Sequence, residues 1–204
     1  MKFDSISLVI ATSGRPTLAR TLASLRGQAW EPQDEILLIG DGPQPLAADL
    51  WRQFRLPGRY LECPGGPHRD WGHTPRNWVL DEKLATGDYL AALDDDDVWT
   101  PDALGMIRKA IIFAPDGGPD VEYRPLLFRM DCTRVPTLEK VVWEQPEIRY
   151  ANVGTGILVV PNRPAKLARY TPKHGGDIDM IRDTCRFYPA GPVWREELIC
   201  VCRP

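Results

Sequence analysis

The sequence predicts an α/β domain with a mostly parallel central sheet flanked by helices. Three observations carry that reading. Short apolar, β-branched runs recur at 6–12, 35–39 and 88–93, the pattern of strands covered on both faces. Segments with helical spacing separate them. Each run stops at small polar residues: Thr12-Ser13-Gly14-Arg15, Gly40-Asp41-Gly42 and Asp94-Asp95-Asp96-Asp97.

The elements follow in order. Ile6–Thr12 is the first buried strand, ended by Ser13-Gly14-Arg15-Pro16. Leu18, Leu22 and Leu25 give helical spacing over 17–28. A second strand over 35–39 ends at Gly40-Asp41-Gly42-Pro43, and a helix over 46–54 and a short strand over 59–62 follow. The segment 63–73 is rich in Gly, Pro and His and reads as a loop. Thr74 before Pro75 is a cap-plus-proline signal for a helix reaching Ala85, with Gly87 beyond it. The strand over 88–93 runs into four aspartates. Thr100-Pro101 repeats the helix-start signal and predicts a helix to Phe113. Beyond it, strands are expected over 121–130, 135–143, 156–160 and 197–201, and a helix over 177–187.

Composition limits the function. The chain has 204 residues, 43% hydrophobic and 26% charged, which is ordinary usage for one globular domain with a real core. A net charge of −3 argues against a constitutive polyanion binder. No apolar run approaches the length of a membrane span. The start, Met1-Lys2-Phe3-Asp4-Ser5, leads into a strand rather than a signal peptide, so the expected compartment is the cytoplasm. The cysteines are five, an odd number without CxxC spacing, which disfavours a disulfide framework or a structural zinc site. Cys200 and Cys202 alternate along a strand and read as packing.

In open α/β sheets ligands sit outside the carboxyl ends of the strands. The three polar strand ends would gather hydroxyls, a basic side chain and several carboxylates in one crevice, a composition suited to a nucleotide and a divalent ion. Four adjacent carboxylates after a buried strand repel one another, and a hard cation relieves that repulsion. The simpler alternative is a solvated turn in which Asp97 or Thr100 caps the next helix.

The runs Ile6-Ser7-Leu8-Val9-Ile10-Ala11-Thr12 and Leu93-Asp94-Asp95-Asp96-Asp97-Val98-Trp99-Thr100-Pro101 resemble the family 2 glycosyltransferases of the GT-A fold. So do Arg76-Asn77 and Ala85-Thr86-Gly87-Asp88-Tyr89-Leu90. The resemblance covers roughly 6–110. It implies a single Rossmann-like GT-A domain whose half 1–98 binds a nucleotide sugar and whose half 99–204 binds the acceptor and carries the catalytic base. Residue by residue, it implies that Thr12, Ser13 and Arg15 line the base and ribose. Asp41 would hydrogen-bond the base, and Arg76 would lie beside the base or diphosphate. Asp94 and Asp95 would contact the nucleotide sugar, and Asp96 would ligate Mn²⁺ or Mg²⁺. The first turn lacks the aromatic usual after the Thr, Gly40 replaces an Asp and Pro43 replaces a Ser.

A glycosyl transfer with inversion needs a base for the acceptor hydroxyl. By the same resemblance the best match is His174-Gly175-Gly176-Asp177-Ile178-Asp179, with Asp177 the base, Asp179 the reserve and Gly176 standing where Glu is usual. Helix N-capping is the structural alternative for Asp177. His174 is a further candidate for the metal. Trp71, Trp99 and Trp143 are candidates for stacking on sugars or for the core, and the loop bearing His68, Trp71 and His73 either covers the donor or is plain surface. Val153-Gly154-Thr155-Gly156 reads as close backbone packing under the acceptor.

The expected activity is therefore metal-dependent transfer of a sugar from a nucleotide diphosphate sugar, a UDP-sugar in first place, to an acceptor hydroxyl. The chain ends soon after the base helix, which fits single additions rather than polymer extrusion. A sugar nucleotidyltransferase and a non-catalytic nucleotide-sugar or carbohydrate-binding module are the alternatives. The acceptor class and oligomeric state stay open.

Overall fold

The computed structural model describes residues 4–112, 123–135, 141–142 and 145–202. The elements run β1 (Ile6–Thr12), α1 (Leu18–Arg26), β2 (Glu35–Gly40), α2 (Pro45–Phe54), β3 (Gly58–Glu62), α3 (His73–Asp81), β4 (Tyr89–Asp94), β5 (Val98–Trp99), α4 (Ala103–Ile112), β6 (Leu126–Asp131), β7 (Val141–Val142), β8 (Leu158–Pro161), α5 (Gly176–Cys185) and β9 (Val193–Val201). Short 3₁₀ turns at Thr155–Ile157 and Pro164–Lys166 complete the list.

One sheet joins them, in the order β3-β2-β1-β4-β8-β6-β9-β5, with β7 beside β6. The first four strands are parallel, Thr12 level with Gly40 and Ala11 with Asp94. Those registers bring the polar ends of β1, β2 and β4 to one edge. Past β4 the sheet is mixed: β8 is antiparallel to β4 and to β6, while β6 and β9 are parallel. The apolar runs explain the order. Every residue of β1 is buried, and Ile36 to Ile39 of β2 are wholly inaccessible. They form the middle of a single core that reaches α1, α4, β6, β8 and α5.

Buried polar groups hold the layers in register. The Asp34 carboxylate accepts the Ile6 N–H at 3.0 Å and the Glu31 N–H at 2.8 Å and pairs with Arg108 of α4. Gln28 joins α1 to α4, donating to the Thr100 carbonyl at 3.0 Å and accepting the Leu104 N–H at 3.0 Å.

Several elements differ from the sequence reading. α3 starts at His73, behind the left-handed Gly72, and Thr74 lies inside it. Asp70 takes the capping role instead, accepting both the Thr74 N–H and its hydroxyl. α3 stops at Asp81 rather than Ala85, and Lys83 follows in the left-handed region. Thr100 turns its hydroxyl to the Leu198 carbonyl, and α4 begins only at Ala103. Thr155–Ile157 is a 3₁₀ turn, so the strand foreseen from 156 starts at Leu158. β9 is longer than the 197–201 foreseen because it spans both β6 and β5. Of the strand foreseen over 135–143, Val141–Val142 is paired with β6 and Val135 is not in a strand. Residues 113–122, 136–140 and 143–144 lie outside the described residues, Trp143 among them. All five cysteines are buried and none forms a disulfide.

Candidate active site

The edge formed by β1, β2 and β4 opens into a cleft of about 540 Å³. Thr12, Ser13, Arg15, Asp41, Arg76, Asp94, Asp95 and Asp96 all line it. A second pocket of about 220 Å³ adjoins it, and Trp71 and Asp94 belong to the walls of both.

The aspartate run divides its work. Asp95 is buried and turned towards β1: it accepts the Thr12 hydroxyl at 2.6 Å and pairs with Arg15. Thr12 in turn accepts the Gly14 N–H at 3.0 Å, which shapes the turn after β1. The Asp97 N–H donates to the Asp94 carbonyl at 3.2 Å, closing a four-residue turn. That turn brings ligand oxygens of Asp94, Asp96 and Asp97 within 4.8 Å of one another. Three carboxylates this close suit a hard cation with oxygen ligands. Asp97 is the member missing from the sequence-based site. The spacing of a turn, which sets its first and fourth residues side by side, is the signal that would have found it.

Arg15 also reaches Asp96, at 3.1 Å. Burial opposes its charge, but the adjacent carboxylates outweigh burial and raise its pKa further. Arg76 is buried, ion-paired with Asp94, donates to the Trp71 carbonyl at 3.0 Å and lies 5.6 Å above the Tyr170 ring. It stays cationic for the same reason, the Asp94 charge overcoming desolvation. Asn77 fastens α3 beneath it by two reciprocal bonds to the Tyr170 backbone, of 2.8 and 2.9 Å.

Asp41 is tied to the protein. Its oxygens accept the His68 N–H at 2.9 Å, the Arg69 N–H at 3.1 Å and the His68 ring Nδ1–H at 2.6 Å. Burial pushes its pKa up, but these three donors outweigh burial and hold the carboxyl below the usual range. Asp41 therefore pins the 63–72 loop against the end of β2, and Gly66 lies so close to Gly42 that a Cβ there would sit 2.5 Å from the Gly42 nitrogen.

The two candidate bases differ sharply. Asp177, in the first turn of α5, lines the smaller pocket together with Asp94 and Asp97. Burial, and then the Asp94 charge, raise its pKa above the ordinary carboxylate value, against smaller opposing effects of the Ile178 N–H, His73 and Arg76. Asp179 borders neither pocket. It is engaged by Lys173 at 2.6 Å, the Thr171 hydroxyl at 2.8 Å and Arg182 at 2.7 Å, which hold it far below the usual range. A carboxylate so stabilised is a poor proton acceptor, and the reserve role does not suit it. Gly176 is demanded by packing: a Cβ there would overlap the Thr171 carbonyl oxygen and lie 2.8 Å from His73 Cε1.

His174 lies outside the three-carboxylate cluster but lines the smaller pocket, its ring 5.9 Å from Trp71 and 5.8 Å from Tyr150. Trp99 is core, stacked on Trp30. Gly154 and Thr155 floor the pocket beneath Asp177. Among the described residues no helix is long and apolar enough to cross a membrane.

Comparison with known proteins gives the following. The family model described as "Glycosyl transferase family 2" matches residues 7–124. Over 91 residues the chain is 37% identical to the succinoglycan biosynthesis protein ExoW of Rhizobium meliloti (strain 1021), which covers 43% of this chain and 27% of that protein. Its fold is similar to S. aureus TarS, with a TM-score of 0.73 at 15% identity over 98% of this chain and 37% of that one. A TarS 1–349 structure in complex with UDP-GlcNAc aligns with a TM-score of 0.70 at 17% identity, over 97% of this chain and 58% of that one. Glucosyl-3-phosphoglycerate synthase from Mycobacterium tuberculosis, in complex with Mn²⁺, UDP and glucosyl-3-phosphoglycerate, aligns with a TM-score of 0.69 at 15% identity, over 98% of this chain and 72% of that one. The chain thus spans about a quarter of ExoW and under two fifths of the TarS chain.

Proposed function

This chain belongs to glycosyl transferase family 2, and from that premise we propose that it moves a sugar from a nucleotide diphosphate sugar to an acceptor hydroxyl, with inversion. The observation that carries the proposal is the pair of adjoining pockets. The larger holds Thr12, Arg15 and the aspartates, and the smaller holds Asp177 across the shared wall of Asp94 and Trp71.

The larger cleft takes the donor. Thr12, Ser13 and the turn held by Asp41 form its nucleotide end, and Arg15 and Arg69 offer cations to the diphosphate. A UDP-sugar is the favoured donor, in line with the UDP-GlcNAc and UDP bound by the two structural neighbours. Asp94, Asp96 and Asp97 would hold Mn²⁺ or Mg²⁺, and their mutual spacing and all-oxygen character fit such an ion. When bound, the ion neutralises charge developing on the departing diphosphate. Arg76 keeps Asp94 in place, and Asp95 keeps the β1 turn in place.

The smaller pocket takes the acceptor. Asp177 removes the proton from its hydroxyl during attack, and a carboxyl with a raised pKa shares that proton more evenly than an ordinary one. Its position on the acceptor side suits direct displacement. Isothermal calorimetry with UDP and Mn²⁺ tests the division of labour. Asp96→Ala should lose metal-dependent binding and Asp177→Asn should keep it; equal loss in both variants rejects the assignment.

A further inference from the structure

We propose that the smaller pocket selects a neutral pyranose as the acceptor terminus, with Trp71 and Tyr150 as the stacking platform. This rests on the glycosyltransferase reading and names the substrate class of its acceptor site. The rings of Tyr150, His174, Trp71 and His73 form an unbroken series with centroids 5.8 to 6.1 Å apart, and all four line the pocket. Trp71 and Tyr150 are each 60% exposed, so neither serves the core. Leaving such large apolar faces in water is unfavourable, and a ligand face that covers them recovers that free energy.

The exposure of Trp71 is built in. The residue holds a left-handed backbone, φ 60°, in a loop that Asp41 anchors at one end, and its carbonyl accepts the Arg76 guanidinium from below. A bulky residue in that region is strained, which the surrounding bonds overcome. Tyr150 lies over Gly175, its ring 3.7 Å from where a Cβ would stand, an ordinary contact distance.

Charge then separates neutral from anionic acceptors. The acids Asp94, Asp97 and Asp177 line the pocket, and among the described residues no Lys or Arg does. His73 is buried and held towards its neutral form by burial and by Arg76, so it adds no fixed positive charge. With Asp94 and Asp97 given to the ion, Asp177 is the acid left facing the acceptor, and it repels a phosphate placed beside it. A sugar instead offers C–H faces to the rings and hydroxyls to the carboxylates. At about 220 Å³ the pocket is smaller than sites for drug-sized ligands, which start near 300 Å³, and so encloses one ring and leaves the rest of the acceptor outside.

Saturation-transfer NMR on the full chain loaded with UDP and Mn²⁺ tests this. The probes are the methyl glycosides of glucose, galactose, mannose and N-acetylglucosamine, and the corresponding 6-phosphates. At least one neutral glycoside should bind, with strongest transfer to its ring C–H protons, and should exceed its phosphate in affinity. Tyr150→Ala should weaken that binding about tenfold, as loss of one aromatic stack implies, while Tyr150→Phe retains it. Calorimetric UDP binding by Tyr150→Ala should be unchanged, because Tyr150 does not line the donor cleft. Preference for the phosphates, or equal glycoside binding by wild type and Tyr150→Ala, overturns the inference and leaves the donor reading intact. Failure of the wild type to bind UDP overturns both.

Discussion

On the proposed assignment, replacing Asp177 by Asn removes the base and leaves shape almost unchanged. The carboxyl lies in the smaller pocket, half-buried, with Asp94 and Asp97 on the same walls. An amide there cannot take the acceptor proton. General-base contributions of about 10²- to 10⁴-fold imply a rise in barrier of about 3–5 kcal/mol. Two further consequences follow from its raised pKa. Wild-type kcat should fall as pH drops through that pKa, and the Asn variant should lose this limb. Stability should move the other way. A carboxyl whose pKa is raised on folding favours the protonated form in the folded state. Its destabilising effect is therefore complete above the folded pKa and absent below the unfolded one. Asp177→Asn should raise Tm at neutral pH and match wild type in acid. The assay is UDP release from UDP-sugar with a glycoside acceptor across pH, beside thermal melts. Retention of kcat within tenfold, with the acid limb preserved, would refute the assignment.

Three other perturbations probe the frame. Gly176→Ala places a Cβ against the Thr171 carbonyl and His73; overpacking of about 1–3 kcal/mol should lower Tm by several degrees in a thermal melt. Asp34→Ala leaves Arg108 and two backbone N–H groups without their buried acceptor; denaturant unfolding should show a loss of about 3–5 kcal/mol. Arg15 pairs with Asp96 as well as Asp95, so on the proposed metal assignment it competes with the ion for Asp96. Arg15→Ala should bind Mn²⁺ more tightly without UDP, and UDP less tightly with Mn²⁺, in calorimetric titrations.

The cleft at the ends of β1, β2 and β4 was legible because its signals are local. A continuous apolar run makes a buried parallel strand, and parallel strands aligned in register deliver their polar ends to one edge, so Thr12, Asp41 and Asp94 meet as the pattern implied. What sequence reading missed depends on distant contacts. Asp41, which the resemblance set against the base, also accepts from the loop 27 residues on, a contact its own neighbours do not announce. Thr74 carried a cap signal that Asp70 pre-empted from outside the helix. β5 is two residues long and exists because β9 returns beside it, which no local pattern announces. The contrast between Asp177 and Asp179 was likewise set by neighbours: Lys173, Thr171 and Arg182 hold one well below the usual carboxylate range, while burial raises the other. Gly176, a departure from the resembling motif, has a plain steric cause.

Anomalous scattering from a crystal grown with UDP and Mn²⁺ reaches the heart of the account. The expected peak lies among the Asp94, Asp96 and Asp97 oxygens, with the diphosphate against it and Arg15 withdrawn from Asp96. A nucleotide bound elsewhere, or a cluster still bridged by Arg15 with no metal peak, would contradict it.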